Sequence, residues 1–235
     1  ERKTLLSELL YIHYPVLSLL LPLESYRLVS ISYRGKCMKK LVFASNNAHK
    51  LTEIRAILAG KVEVISLSEL GCHDDIPETA ETLEGNALIK AEYIHRHYGV
   101  YCFADDTGLE VKALDGAPGV YSARFAGEHA TPSENVSLLL DRLSHTPEPR
   151  NARFRTVVAL IDELGTHFFE GSIEGTITTE RRGENGFGYD PVFIPEGENR
   201  TFAQLSESEK NSMSHRGRAV KKLATYLSAL ACHHE

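Results

Sequence analysis

From Met38 onward, short apolar runs alternate with amphipathic stretches, and this alternation restricts the chain to an α/β architecture. Residues 40–44 read as a buried strand. Residues 47–59 read as a helix with Leu51, Ile54 and Leu58 on one face and Gly60 just past its end. Residues 62–65 form a second strand. Residues 81–98 form a long helix, with Leu83, Ala87, Ala91, Ile94 and Tyr98 three or four apart and Gly99 closing it. Two strands, 101–104 and 109–114, flank an acidic turn. Thr131 reads as an N-cap with Pro132 at the first helical position, opening a helix to Leu143. Residues 154–162 and 167–179 read as antiparallel neighbours, and 192–194 as a short strand after a polar, glycine-rich loop at 181–188. A capping-box pattern at Ser206 and Glu209 opens the last helix, whose apolar face continues through Val220, Leu223 and Leu227. Mixed strand order fits this pattern better than a purely parallel sheet.

The 235 residues suffice for one sizeable domain with its own core. Residues 1–37 are Leu- and Tyr-rich but interrupted by Glu8, His13, Pro15, Pro22 and Glu24, so no clean stretch of about 18 apolar residues exists. Glu8 also breaks any signal-peptide core. The domain is expected to span 38–231. Three readings stay open for 1–37: a start placed too early, an appendage, or a weak targeting element. The net charge of −6 argues against a broad basic surface for nucleic acid. None of the four cysteines, Cys37, Cys72, Cys102 and Cys232, forms a CxxC pair, which argues against a structural zinc site and for a reduced, cytoplasmic protein.

Asp105 and Asp106 follow an apolar run and precede Thr107 and Gly108. Two adjacent carboxylates at a strand exit need a cation, a basic partner or water, because burying them unpaired is costly. A hard divalent ion such as Mg2+ takes such ligands and brings phosphates with it. Thr107 adds a hydroxyl, and Gly108 allows a sharp turn beside a ligand. Asp and Gly are also ordinary turn residues, so the pair alone favours a polar turn.

Three further groups shift that balance. Ser45, Asn46, Asn47, Ala48, His49 and Lys50 bridge the first strand and first helix. Free backbone N–H groups and the helix dipole meet there, and Lys50 adds a point charge for a phosphate. Plain capping by Ser45 or Asn46 would not account for Lys50. Phe187, Gly188, Tyr189 and Asp190 place aromatic faces and a carboxylate in a flexible loop, suited to a flat base or equally to tucking into the core. Lys210, His215 and Arg216 gather two permanent cations and a histidine, suited to a phosphate or a carbonyl edge, or simply to a basic helix surface. Glu78, before the second helix, is a further acid that would reach a metal held by the pair, though most acids there suit a solvated first turn.

In this order the four groups resemble the Ham1/inosine triphosphate pyrophosphatase family, over about residues 38–231, and the segment from Gly116 to Arg124 looks like a family segment too. The resemblance implies an elongated, mixed, twisted β-sheet flanked by helices, with two lobes, a central active-site cleft and a homodimer. It implies Mg2+-dependent hydrolysis of ITP, dITP and XTP to the monophosphate and pyrophosphate. By matching positions, residues 45–50 would contact the triphosphate. Asp106 would ligate Mg2+ and activate water, with Asp105 beside it and Lys50 assisting. Glu78 would share the metal, and Thr107 would touch the substrate. Phe187, Gly188, Tyr189 and Asp190 would enclose the base. Lys210, His215 and Arg216 would recognise a 6-keto purine. Two alternatives are a phosphatase releasing orthophosphate from an aspartyl intermediate, whose usual Asp-x-Asp spacing is absent, and a sensor that binds without turnover.

Overall fold

The computed structural model describes residues 40–232; the expectations for 1–37, and for a domain start at Met38, lie outside the described residues. Seven strands form one mixed sheet: β1 (Lys40–Phe43), β2 (Glu63–Ile65), β3 (Cys102–Val111), β4 (Pro118–Gly119), β5 (Asn151–Asp162), β6 (Gly165–Ile177) and β7 (Phe193–Pro195). Their order is β2-β1-β3-β5-β6-β7, with β4 on β3. β1 pairs in parallel with β2 and β3, and every later pairing is antiparallel.

The helices are α1 (Ala48–Leu58), α2 (Leu67–Leu70), α3 (Leu83–Tyr98), α4 (Pro132–Arg142), α5 (Glu207–Met213) and α6 (His215–Cys232). Strand alternation sends Leu41, Phe43 and Phe103 to one face, against Ile54 and Leu58 of α1 and Val220 and Leu223 of α6. Val42, Cys102 and Ala104 face the other side, against Ala87, Ala91 and Ile94 of α3. A third cluster joins the far ends of β3, β5 and β6 to α4, Phe193 and Phe202. None of the described helices is long and apolar enough to cross a membrane.

Two of the local expectations that fail also build the site. Asp105 and Asp106 lie inside one continuous strand, not in a turn between two. Every residue from Cys102 to Val111 pairs with β5, so its long ladder carries the acidic pair through the sheet. Gly108 accordingly makes no turn. A Cβ there would come within 2.6 Å of the Gly119 carbonyl oxygen, so its missing side chain admits β4. Lys112–Leu114, expected as strand, is a 3-10 turn.

The last helix is likewise not continuous. Ser206 caps α5 with a complete capping box, but Ser214 then adopts extended backbone (φ −63°, ψ 157°). Its Oγ accepts from Gly217 N–H at 3.0 Å, restarting the chain as α6. The break turns His215 and Arg216 inward, 3% and 1% exposed, where a basic helix surface was the plain alternative. Gly171 on β6 permits this approach: a Cβ there would clash with the His215 carbonyl and stand 2.5 Å from Ala219 N.

Candidate active site

The loop after β1 is held by two side-chain caps. Ser45 Oγ accepts from Asn47 N–H at 3.2 Å, and Asn47 Oδ1 accepts from Lys50 N–H at 3.0 Å. Capping thus falls to Asn47 rather than Ser45 or Asn46. Asn46 Nδ2 donates to the Asp74 carbonyl at 3.4 Å. Ser45, Asn46, Asn47 and Lys50 line a cleft of about 780 Å3, whereas Ala48 and His49 are exposed and lie off its wall. The His49 ring instead stacks on Phe187, with centroids 5.3 Å apart.

Alternation along β3 separates the two aspartates. Asp105 is fully buried on the α1/α6 side: Lys50 Nζ lies 3.0 Å from Oδ1 and Arg216 Nε 3.0 Å from Oδ2. Burial alone would raise its carboxyl, but Lys50 and Arg216 outweigh that and hold it well below the usual carboxylate range. Asp105 does not line the cleft. It stands behind the two cations as their counterion, on the opposite face of β3 from Asp106, where the expectation set the two side by side. Thr107 does line the cleft, and its hydroxyl bonds Thr156 Oγ1 at 2.7 Å.

Asp106 faces α3 and the cleft. Its Oδ2 accepts from Asn86 Nδ2 at 3.2 Å, and its Oδ1 from Thr107 N–H at 2.9 Å. The Lys90 ammonium is 3.9 Å away and is shared with Glu78, to which it donates a short hydrogen bond. Burial therefore wins at Asp106 and pushes its carboxyl up. At Glu78 burial opposes but Lys90 prevails, and the carboxyl is held down. Burial likewise pulls Lys90 down, but Asp106 and Glu78 outweigh it and raise the ammonium. Arg124 Nη2 donates to the Glu78 carbonyl at 3.2 Å, and Nη1 lies 3.8 Å from its carboxylate.

The opposite wall is built by the loop before β7 and the α5–α6 junction. Asp190 Oδ2 accepts from Phe187 N–H and from Lys210 Nζ, both at 2.7 Å, so this carboxylate closes its own loop. Burial raises its carboxyl against the pull of Lys210. The two aromatics divide. Tyr189 is tucked into the core, its hydroxyl donating to the Ser122 carbonyl at 2.9 Å. Phe187, half-buried beside Gly188 on the cleft wall, carries the stacked His49 ring, with Lys210 Nζ 4.7 Å and the Arg216 guanidinium 5.5 Å from its centroid. His215 stacks on Phe154 at 4.6 Å, and its Nδ1 has no partner. Burial, with Arg216 next, keeps it neutral, well below the ordinary 6.5.

Four participants were not read from the sequence: Glu53, Asn86, Lys90 and Arg124. Lys90 left a trace, being a lysine on the apolar face shared by Leu83, Ala87 and Ile94. Asp106 and Glu78 face one cleft across a common lysine, and Mg2+ suits such a pair, since it takes one or two carboxylates and completes its shell with water and phosphate. Among the described residues no group of three or more His, Cys, Asp or Glu could hold a metal unaided.

This mixed α/β fold thus holds one cleft with carboxylates around a buried lysine and, across from them, cations beside an aromatic ring. The chain belongs to the Ham1 family, whose profile matches residues 41–226. It is 63% identical over 190 residues to a dITP/XTP pyrophosphatase of Porphyromonas gingivalis, covering 81% of this chain and 98% of that one. It is 50% identical to a dITP/XTP pyrophosphatase of Flavobacterium psychrophilum, covering 80% and 98%. Among solved structures, a HAM1 protein from Coxiella burnetii superimposes with a TM-score of 0.75 at 40% identity, covering 82% of this chain and all of that one. The Ham1 protein of Staphylococcus aureus gives 0.73 at 40% identity, covering 81% and 99%.

Proposed function

We propose that this chain hydrolyses the non-canonical purine nucleoside triphosphates ITP, dITP and XTP to the nucleoside monophosphate and pyrophosphate, removing deaminated purines from nucleotide pools. The observation that carries the reading is the division of the cleft: Asp106, Lys90 and Glu78 on one side, Lys210 and Arg216 beside Phe187 on the other, with Lys50 on its wall held by Asp105. The relatives named dITP/XTP pyrophosphatase support the substrate class.

Asp106 and Glu78 would hold Mg2+, which when bound offsets charge on the phosphate oxygens and favours ionisation of water. Asp106, its carboxyl raised by burial, takes the proton of the attacking water. Water oxygen bonds to the α- or β-phosphorus, the bond from that phosphorus to the α–β bridging oxygen breaks, and its electron pair leaves on the bridging oxygen, giving monophosphate and pyrophosphate in either case. Lys90 holds Asp106 and Glu78 in register. Lys50 and the loop of Ser45, Asn46 and Asn47 bind the phosphate chain, with Thr107 beside them. The base stacks on Phe187, and Lys210, His215 and Arg216 present donors to a 6-keto oxygen. An amino group at that position leaves such donors unpaired, so ATP is rejected.

The enzyme domain occupies 38–231, and the protein acts as a cytoplasmic homodimer on free nucleotides rather than nucleic acid or membrane. A product assay across ITP, XTP, GTP and ATP with Mg2+ tests the function. IMP and pyrophosphate from ITP, with little turnover of ATP, are expected. Orthophosphate as the product, or binding without turnover, sinks the reading.

A further inference from the structure

The buried charges on the base-binding side form an alternating chain. Lys50 pairs with Asp105, Asp105 with Arg216, Arg216 with Glu53, Glu53 with Lys210, and Lys210 with Asp190. Glu53 is its middle anion. It sits on α1 three residues after Lys50, on the same helix face. Its two oxygens hold different cations: Oε1 lies 2.8 Å from Lys210 Nζ, and Oε2 accepts a short bond from Arg216 Nη1. Lys210 and Arg216 line the cleft and Glu53 does not, so its carboxylate grips both from behind.

We propose that Glu53 is the positioning residue for base selection, fixing Lys210 and Arg216 as one rigid donor pair, so that discrimination between 6-keto and 6-amino purines acts through it. The proposal rests on the nucleotide reading above and deepens it. A lysine ammonium on a four-carbon stem held by one anchor sweeps a volume; held by two, it occupies a point. Asp190 and Glu53 are the two anchors of Lys210. Asp105 and Glu53 are the two acidic anchors of Arg216. Without Glu53, Lys210 relaxes toward Asp190 and Arg216 toward Asp105, which draws the two cations apart. Donors displaced by even a fraction of an ångström lose selectivity before they lose attraction. Asp106 and Lys90 lie on the other face of β3 and keep their geometry.

Glu53→Gln preserves shape and removes the charge; Glu53→Asp preserves charge and shortens the reach by one methylene. Each is compared with the wild-type protein for kcat and KM on ITP and ATP, with a melting curve. For both variants KM for ITP is expected to rise about tenfold while kcat stays within about threefold. ATP turnover changes little, so the ITP-to-ATP ratio of kcat/KM falls about tenfold. If Glu53→Gln does not fold, Glu53→Asp is judged on the same ratio. A folded variant whose ratio stays within about twofold of wild type overturns the proposal, whatever its melting temperature. Equal turnover of ITP and ATP by the wild-type protein instead overturns the functional reading itself, and the proposal with it.

Discussion

The side chains of Asp105 and Asp106, adjacent in sequence, point to opposite faces of β3: one into the cations of α1 and α6, the other toward Asn86 and Lys90 of α3. The division of roles follows from strand geometry. A carboxylate locked between Lys50 and Arg216 has its lone pairs engaged, whereas Asp106 meets its nearest ammonium only at 3.9 Å and opens onto the cleft.

Asp106→Asn is therefore expected to lower kcat on ITP by about a thousandfold, the scale of a lost general base. The amide forfeits one of the acceptors used by Asn86 and Thr107 but removes a buried charge, so the melting temperature should stay close to wild type. A steady-state assay and a thermal melt check both, and near-normal turnover would rule out the catalytic role.

Lys90→Met leaves Glu78 and Asp106 without their shared cation. Breaking a buried ion pair from one side costs about 3–5 kcal/mol, so the melting temperature should drop clearly and activity should fall at least about a hundredfold. Adding Glu78→Gln removes one orphaned charge. Stability should then recover in part while activity does not, a split that calorimetry and turnover assays read together.

His215 carries a signed pH dependence. Its folded form is neutral, through burial first, then repulsion from Arg216 and Lys210; Asp105 pulls the other way, and Lys50 adds further repulsion. The unfolded chain takes up a proton below its ordinary 6.5, so this contribution is fully present above that pH and is lost as pH falls beneath it. The slope is at most about 1.4 kcal/mol per pH unit. Urea titrations at pH 7.5 and 5.5 should show a smaller loss in His215→Phe than in wild type; equal losses would exclude His215 as the source.

Gly171→Ala sets a methyl group against the carbonyl of His215 and the start of α6. Overpacking of this kind costs about 1–3 kcal/mol. Because the displaced turn carries His215 and Arg216, KM for ITP should rise as well, whereas an exposed site such as Gly197→Ala, which meets no neighbouring atom within 4 Å, should move stability through backbone strain alone.

The strand and helix alternation was legible because helix caps and period-two burial are local. Gly60 and Gly99 ended their helices as expected, Thr131 opened α4, and the β5–β6 hairpin formed about Glu163 and Leu164. The acidic turn was misread because its neighbours along the chain are typical turn residues, while the ladder that straightens it lies some fifty residues away on β5. The break in the last helix was missed because a serine inside a helical pattern, such as Ser214, carries no mark of whether it caps or continues. Lys90, Glu53 and Arg124 share a different difficulty. Each acts through partners on other elements, and no spacing in the sequence reports which charges fold together.

On the cleft wall Lys50, Lys90, Arg124, Lys210 and Arg216 are matched by Asp75, Glu78, Asp106, Glu128 and Asp190, with Asp105 and Glu53 behind the cations, so the cleft carries no net positive charge. Such a site exerts little long-range pull on a passing polyanion, in a chain that is itself negative. Encounter with nucleotide would then proceed by ordinary diffusion and depend weakly on ionic strength. Capture would come from exchanging internal partners for phosphate oxygens at contact, so inorganic phosphate and other small anions would be poor competitors.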